Sequence, residues 1–380
     1  MIDDRPNARQ KKSLNVNTYP PDKIKIDDKV RFLSSRSSYP DRPEIVGVEE
    51  THMSWIFLAG KFVYKLKKPV KYSFLDFSTL ELREANCRNE VRLNLRLAPD
   101  IYLGVTRLTL KENGELAIDG SGATIDWLVK MHRLPAEQML DISILSGKVE
   151  HKQVETLANL LVKFYNNAEH AEISPETYIQ GFQYEHQLNR SILENPIFDL
   201  DDGRVRKILG DVDEFVHDEG DLLRERVLKG RIVDGHGDLK PEHICLLDPP
   251  VIIDCLEFNK SLRLVDPFDD LAFLCLECQR LGAYWIGDFL VQHCAIRLTD
   301  GPIDRLFAFY KIFRACLRAR LALAHLLEPN PSEHGKWLLR AKQYLDIAEE
   351  TNISLIPQGV QQSIPLHGNT GSPQQRGGRR

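Results

Sequence analysis

The sequence predicts an α+β protein in which a small antiparallel β lobe precedes a larger, mainly helical lobe. Apolar runs of strand length dominate the first part of the chain, and from about residue 136 apolar residues recur at helical spacing. A short polar segment, residues 232–258, interrupts the helical part beside two strand-like runs. With 380 residues, 42% of them hydrophobic, the chain can bury two cores.

The β lobe is predicted over residues 41–134. The run "SWIFLAGKFVYKLKKPV" contains the turn Ala59-Gly60-Lys61, which indicates a β-hairpin. The next stretch, "STLELREANCRNEVRLNLRL", begins at a Ser/Thr cap and has helical spacing. Strand-like runs return in "IYLGVTRLTL" and, after the turn "KENGE", in two runs ending at "DWLVKMHRLP". The predicted order is strand, strand, helix and three strands.

The helical lobe is predicted over residues 135–355. Within it, "HICLL" and "VIIDCLEF" are separated by the turn "DPP" and predict two short strands. Residues 1–40 are polar and charged, and residues 356–380 are rich in Gly, Gln, Ser and Arg. Because such compositions bury little apolar surface, both ends are predicted to be disordered tails.

Composition excludes several classes of protein. A formal net charge of -5 gives no general basic field, so nucleic-acid binding is not expected. No run approaches the roughly 18 apolar residues of a membrane span, and the N-terminus does not resemble a secretory signal, so a cytoplasmic protein is expected. The 7 scattered cysteines predict free thiols, and the pair Cys275 and Cys278 fits buried helix positions better than a metal or redox site.

The run "HGDLKPEH", residues 236–243, resembles the catalytic loop of the protein kinase-like fold. Its "HGD" form, with Gly237 where protein kinases usually carry Arg, is similar to that of the aminoglycoside phosphotransferase family. Phosphoryl transfer needs a carboxylate to orient the acceptor hydroxyl, carboxylates for magnesium and a lysine on the phosphates. The resemblance implies that Asp238 is the catalytic base and that Lys240 neutralises charge on the γ-phosphoryl group.

Two later stretches extend this resemblance. Asp254, in "VIIDCLEF", matches the metal-binding Asp of the family. The stretch "LVDPFDDLAFL" resembles the family's "DPxxDLA", which implies that Asp270 caps the next helix and braces the catalytic loop. Together the three pieces imply a bilobal protein kinase-like fold.

Four runs narrow the resemblance to an uncharacterised bacterial group of this family, over about residues 41–350. These runs are "ETHMSWIFLAGKFVYKLKKPVKYSFLDFSTLELR", "RLAPDIYLGV", "GHGDLKPEHICL" and "IDCLEFN". Some members of the group carry an additional C-terminal P-loop kinase domain. Since no GxxxxGK[ST] occurs in the sequence, we expect this chain to lack that domain.

The same family template implies a nucleotide clamp in the β lobe. Lys65 in "KFVYKLKKPV" matches the strand lysine, and Glu90 falls on the helix after it. This pair would hold the α- and β-phosphates of ATP. Lys67, Lys68 and Glu84 remain alternatives, because exposed Lys/Glu pairs are ordinary on strands and helices.

Two further contacts with the nucleotide are expected. In "LVKMHRL", the backbone of Lys130, Met131 and His132 would form the hinge that meets the adenine edge. No glycine-rich loop precedes the strand lysine, and "VEETHMSW" takes its place. The hydroxyls of Thr51 and Ser54, with nearby N–H groups, would cover the phosphates there. Alternatively, both are plain turn residues.

One residue departs from the family pattern. The catalytic-loop Asn, five residues after the base, is replaced by His243. An imidazole is a poorer partner than an amide oxygen for Mg²⁺, so His243 is expected either to hold one metal ion differently, with Mn²⁺ tolerated, or to hydrogen-bond Asp238.

The sequence thus predicts an ATP-dependent phosphotransferase that acts on a hydroxyl of an unidentified small molecule. The acidic residues Glu257, Asp266 and Asp269 favour a cationic acceptor, unless they only solvate the rim or cap helices. A nucleotide-binding pseudokinase with a regulatory role is the alternative, favoured by His243 and the missing glycine-rich loop. A protein kinase is disfavoured by Gly237 and by the absence of "DFG" and "APE".

Overall fold

The protein consists of two compact units. The structure, a computed structural model, describes residues 24–72, 75–302, 304–327 and 334–351. The first unit comprises the described residues up to Pro135 together with Ile253–Asn259, and the second comprises Ala136–Ile252 and the described residues from Lys260 onward. The first is rich in strands and the second is mainly helical, which confirms the predicted α+β class. That residues 253–259 belong with the first unit was not predicted.

An antiparallel sheet forms the body of the first unit. The strands of this unit are β1 (Val46–Glu50), β2 (Ser54–Ala59), β3 (Phe62–Lys67), β4 (Lys71–Tyr72), β5 (Leu75–Asp76), β6 (Tyr102–Leu110), β7 (Leu116–Ile118) and β8 (Ala123–His132). Among the described residues, six of them form one sheet in the order β1-β2-β3-β8-β6-β7, while β4 pairs with β5. Gly60, at φ +62°, makes the predicted turn between β2 and β3. The short pair β4–β5 was not predicted.

Two helices accompany this sheet. Helix α1 (Ile26–Leu33) precedes the strands, and helix α2 (Leu80–Asn94) separates β5 from β6. The side chain of Thr79 caps α2 by accepting a hydrogen bond from the N–H of Leu82, as the Ser/Thr signal indicated. Helix α2 therefore begins where the sequence predicted it.

The prediction that residues 1–40 form a disordered tail was wrong for residues 24–40. The α1 residues Ile26, Val30 and Leu33 follow helical spacing, and Leu33 joins the core of the sheet with no exposed surface. Tyr39 is also buried, and its hydroxyl donates to the carbonyl of Leu33. The charged residues between these apolar positions hid the pattern. Residues 1–23 and the predicted tail 356–380 lie outside the described residues.

A buried ion cluster attaches α1 to the sheet and to α2. The carboxylate of Asp126, on β8, accepts hydrogen bonds from Lys29 of α1 at 2.7 Å and from Arg83 of α2 at 2.7 and 3.2 Å. The Asp126 side chain is 1% exposed. One carboxylate therefore holds both helices.

The second unit is built from helices around two short strand pairs. Its helices are α3 (Leu140–Leu145), α4 (His151–Asn167), α5 (Pro175–Leu193), α6 (Asp202–Asp218), α7 (Gly220–Leu228), α8 (Pro267–Arg280), α9 (Tyr284–Arg297), α10 (Asp304–Ala324) and α11 (His334–Thr351). Its strands are β9 (Val233–Asp234), β10 (Ile244–Cys245), β11 (Val251–Ile252) and β12 (Leu264–Val265). β10 pairs with β11 as predicted, and β9 pairs with β12.

Helix α8 forms the buried centre of this unit. Its residues from Pro267 to Gln279 are all buried, so charged side chains there require partners. All 7 cysteines of the chain are buried free thiols, including Cys275 and Cys278 of α8, which confirms that prediction. No helix in the described ranges is both long enough and apolar enough to cross a membrane.

Replacing Asp126 by alanine is expected to destabilise the first unit. The change leaves the buried cations of Lys29 and Arg83 without their shared carboxylate, which costs about 3–5 kcal/mol for a buried pair. Urea denaturation measures this loss. The control is Glu115→Ala, which removes exposed contacts with Lys111 and Asn113 and should change stability by less than about 1 kcal/mol. Equal effects of the two variants would show that Asp126 does not anchor the helices.

Candidate functional site

Lys65 and Glu90 are in contact in the first unit. Lys65 lies on β3 and Glu90 on α2, and Lys65 Nζ is 3.0 Å from Glu90 Oε1. Lys65 Nζ also donates to Asp254 Oδ1 at 2.7 Å. The structure thus joins Asp254 to Lys65 and Glu90, which the sequence predicted as a pair. The ammonium group of Lys65 lies between a helix carboxylate and the carboxylate that follows β11.

A second lysine joins this group. Lys67 is two residues from Lys65 on the same strand, so both side chains point to the same face of β3. Lys67 Nζ lies 2.5 Å from Glu90 Oε2 and 2.6 Å from Glu257 Oε1. The sequence offered Lys67 only as an alternative to Lys65, whereas Glu90 contacts both lysines.

The remaining alternatives lie in surface pairs. Lys68 pairs with Glu50, whose side chain is 53% exposed. Glu84 pairs with Arg88 one turn further along α2. Neither pair includes Glu90, so the structure distinguishes Lys65 and Lys67 from Lys68 by their contact with Glu90.

Burial and charge act in opposite directions on the pKa values of this group. Burial lowers the pKa of Lys65, but the carboxylates of Asp254 and Glu90 outweigh it and hold that pKa well above its ordinary value. Burial raises the pKa of Glu90, but Lys65 and Lys67 outweigh it, so the pKa of Glu90 falls below its ordinary value. Both lysines are therefore charged and Glu90 is ionised at neutral pH.

The segment that carries Asp254 is held by hydrogen bonds to α2 and β6. Asp254 has a left-handed backbone, with φ +59°, and its N–H donates to the hydroxyl of Tyr102 at 3.3 Å. The next N–H, of Cys255, donates to Asn94 Oδ1 at 2.9 Å. The Asp254 side chain remains 40% exposed. This carboxylate is thus fixed at its backbone and open at its oxygens.

The predicted catalytic loop of the second unit has a salt bridge at its centre. Lys240 Nζ donates to Asp238 Oδ2 at 2.8 Å, and the Asp238 side chain is 29% exposed. Burial raises the pKa of Asp238, but Lys240 and His243 outweigh it and lower the pKa to about 2. Asp238 is therefore ionised at neutral pH and can accept a hydrogen bond. Gly237 directly precedes Asp238 and has φ +80°, which glycine adopts without steric cost, so the chain can turn sharply before Asp238.

Helix α8 braces this loop through Asp270. Its carboxylate accepts hydrogen bonds from the N–H groups of His236, at 2.8 Å, and Gly237, at 3.0 Å. The predicted brace is thus present, but the predicted cap is not Asp270. Asp266 caps α8 instead, because its side chain accepts from the N–H of Phe268 at 2.9 Å.

His243 is engaged with the backbone of the same loop. Its Nδ1 lies 3.0 Å from the carbonyl oxygen of Asp238 and 3.7 Å from Asp238 Oδ2. Of the two alternatives for His243, the hydrogen bond to Asp238 is therefore observed. Across the part of the chain that the structure describes, no three His, Cys, Asp or Glu side chains are arranged to hold a metal ion.

The predicted adenine hinge is wrong for Lys130 and Met131. Both lie in β8, which is flanked by β3 on one side and β6 on the other, and each has register partners in both strands. The N–H of His132 donates to the carbonyl of Ile101 at 2.8 Å. Because neighbouring strands pair with Lys130 and Met131, these two residues do not offer adenine a free backbone edge.

Thr51 and Ser54 form a turn between β1 and β2. The Thr51 hydroxyl donates to the carbonyl of Ser54 and accepts from its N–H, both at 3.0 Å. Ser54 itself is 2% exposed. The alternative of plain turn residues is therefore observed, and the geometry gives no support to a phosphate role for either hydroxyl.

The acidic residues that favoured a cationic acceptor are buried in ion pairs. Asp266 pairs with Arg226 at 2.5 Å, and Asp269 pairs with Arg314 at 2.6 Å. Glu257 pairs with Lys67, as described above. Since each of these charges already has a partner, these residues do not indicate the charge of an acceptor, and the cationic acceptor stays a prediction.

Comparison with known proteins relates the chain to uncharacterised relatives and to one fold. No family model matches. An uncharacterised protein of Mycobacterium tuberculosis is 33% identical over 314 residues, which is 81% of this chain and 61% of the relative. An uncharacterised protein of Mycobacterium bovis gives the same values. The chain thus spans 61% of the length of the curated relatives it matches.

Among solved structures, the GDP and kanamycin complex of APH(2")-IIia resembles this chain with a TM-score of 0.50. The identity is 14%, and the match covers 83% of this chain and 97% of that one. At this identity the likeness establishes the fold. The chain has the aminoglycoside phosphotransferase-like form of the protein kinase-like fold, which confirms the fold that the catalytic-loop sequence implied.

Protonation of Asp270 is expected to loosen the catalytic loop. Burial raises its pKa to about 6, although the N–H groups of His236 and Gly237 oppose the rise. Below that pH the carboxyl group loses acceptor strength toward these two N–H groups. Their ¹H–¹⁵N signals should therefore move with a midpoint near pH 6, the pKa of Asp270.

The matched control for this titration is Asp270→Asn, which keeps an oxygen acceptor and removes the titrating group. The movement should disappear in that variant. If the same midpoint persists, a group other than Asp270 causes it, and the proposed effect of Asp270 is refuted.

Proposed function

We propose that this protein is a nucleotide-dependent phosphotransferase that moves a γ-phosphoryl group to a hydroxyl of a small molecule. The observation that carries the proposal is the position of Lys65 between Glu90 and Asp254 in the first unit. A strand lysine oriented by a helix carboxylate is the arrangement that phosphoryl transfer uses to hold nucleotide phosphates. The fold agrees, since its solved relative is a complex with GDP and kanamycin.

In the proposed mechanism, residues of the second unit act on the acceptor. The carboxylate of Asp238 orients the acceptor hydroxyl and takes its proton at an Oδ atom. With a pKa of about 2, Asp238 is a weak base, so its contribution is chiefly orientation. Lys240, whose Nζ lies on Asp238 Oδ2, supplies positive charge beside the transferred group.

The donor set of the first unit fits a nucleotide with a magnesium ion. Asp254 offers a carboxylate that is 40% exposed, and Mg²⁺ prefers oxygen ligands. Lys65 would hold the phosphates and Asp254 the metal ion. When bound, the metal ion neutralises phosphate charge and the nucleotide supplies the phosphoryl group. His243 fits Mg²⁺ poorly, because an imidazole is softer than an oxygen ligand and its Nδ1 is already engaged; Mn²⁺ would suit it better.

A nucleotide-binding pseudokinase is the second candidate. The contact of His243 with the Asp238 carbonyl favours it, because the residue at the Asn position of active relatives is engaged within the loop. In that case the protein binds nucleotide and acts on a partner without turnover. The acceptor itself is not defined by the buried carboxylates, so neither candidate specifies its charge.

Replacing Asp238 by alanine is expected to abolish phosphoryl transfer while leaving nucleotide binding intact. Loss of a general base typically lowers the rate about 10²–10⁴-fold. The test is ³¹P NMR of ATP with Mg²⁺ or Mn²⁺ and a metabolite extract, with Asp221→Ala, an exposed surface change, as control. Full transfer by Asp238→Ala would remove this mechanism. Binding without turnover by the unmodified protein would favour the pseudokinase.

Replacing Lys65 by methionine is expected to weaken ATP binding. Loss of one charge-assisted contact to phosphate corresponds to an increase in Kd of about 10–100-fold. Isothermal titration calorimetry measures it. The matched control is Lys68→Met on the same strand end, whose ammonium pairs with the exposed Glu50 and should leave Kd unchanged. Equal Kd values for both variants would contradict the role of Lys65.

A further inference from the structure

The two lysines of β3 and three carboxylates form a row of side-chain contacts in the first unit. Its four contacts are Asp254–Lys65 at 2.7 Å, Lys65–Glu90 at 3.0 Å, Glu90–Lys67 at 2.5 Å and Lys67–Glu257 at 2.6 Å. Asp254 and Glu257 stand at the two ends of this row, and the backbone between them closes it into a ring. Each oxygen of Glu90 faces a different lysine, so the carboxylate cannot turn toward one without leaving the other.

The two halves of the ring differ in their access to solvent. The side chains of Lys65 and Asp254 are 13% and 40% exposed, whereas those of Lys67 and Glu257 are 1% and 9% exposed. Lys67 is too deeply buried to contact a nucleotide directly. Its charge must therefore act through Glu90 and Glu257.

We propose that Lys67 and Glu257 are positioning residues that hold Asp254 ready for a metal ion. This inference rests on the proposed function and extends it to residues that do not touch the nucleotide. Lys67 binds Glu257, three residues after Asp254, and so attaches the segment 253–259 to β3. The same ammonium group also binds Glu90, which contacts Lys65. The pair thus fixes the segment that carries Asp254.

The backbone of the segment shows why such a restraint is needed. Asp254 has φ +59°, a conformation that is uncommon for residues other than glycine. The hydroxyl of Tyr102 fixes the start of the segment, and Asn89 Nδ2 donates to the carbonyl of Glu257 at 2.6 Å near its end. The Lys67–Glu257 ion pair adds a buried side-chain contact at that same end.

The test compares Lys67→Met with Lys29→Met, the same substitution at another buried lysine of the first unit. Lys29 pairs with Asp126 at 2.7 Å, outside the ring described above. Calorimetry measures the binding of ADP with Mg²⁺ and of ADP in EDTA. Loss of residues that orient a metal ligand typically costs about 10–100-fold in metal affinity. For Lys67→Met we expect this loss of ADP affinity only when Mg²⁺ is present, and wild-type affinity in EDTA. For Lys29→Met we expect wild-type affinity in both conditions.

A double variant separates positioning from stability. Lys67→Met leaves the carboxylate of Glu257 buried without its partner, whereas Lys67→Met/Glu257→Gln removes both charges and should regain thermal stability. If the pair only stabilises the fold, Mg²⁺-dependent ADP affinity returns together with Tm. If the pair positions Asp254, that affinity stays low although Tm recovers.

The outcomes also distinguish this inference from the proposed function. Wild-type protein that binds ADP more tightly with Mg²⁺, while both Lys67 variants do the same, would overturn the positioning role and leave the proposed function standing. Wild-type protein that binds ADP in neither condition would overturn both.

Discussion

The carboxylate of Glu90 is the charge on which the polar interior of the first unit depends. It has no exposed surface and faces two buried lysines at once. A buried ion pair contributes little stability compared with apolar packing, but removing one partner leaves a costly unpaired charge. The arrangement is therefore better explained by what it orients than by how much it stabilises. Helix α2, strand β3 and the segment 253–259 each contribute to it.

The second unit also contains buried carboxylates that require partners, but their partners are arginines and backbone N–H groups. Three carboxylates are buried at the start of helix α8, the cap Asp266 and Asp269 and Asp270 of the first turn. Arginines neutralise two of them, Asp266 and Asp269. The third, Asp270, is bound by backbone N–H groups of the catalytic loop. Burial outweighs these backbone amides, so the pKa of Asp270 is raised. The helix that stabilises the core thus also determines the conformation of the loop.

The fold class and the main residues of the candidate site could be predicted because they leave local signals. Hairpin turns, a Ser/Thr cap and the "HGDLKPEH" run are each contained within a few residues. Burial is not local, and this explains the errors. The sequence cannot show that Asp266 and Asp269 face arginines 40 or more residues away, or that both edges of Lys130 are paired in the sheet.

The same limit explains Lys67 and α1. A lysine two residues after Lys65 has the same sequence character whether it is exposed or buried, and only its surroundings distinguish the cases. In α1, four apolar residues among charged ones give too weak a pattern to outweigh a polar composition. Their packing against the sheet, not their propensity, makes the helix.

The attachment of α1 through Asp126 has a consequence for what counts as the smallest autonomous domain. A fragment cut just before β1 would keep every strand of the sheet but would lose Lys29 and Leu33. The fragment would expose an apolar patch. Of the two cations that bind Asp126, it would keep Arg83 and lose Lys29. The evolutionary boundary of this domain, and any recombination point that exchanges it intact, should therefore lie upstream of α1.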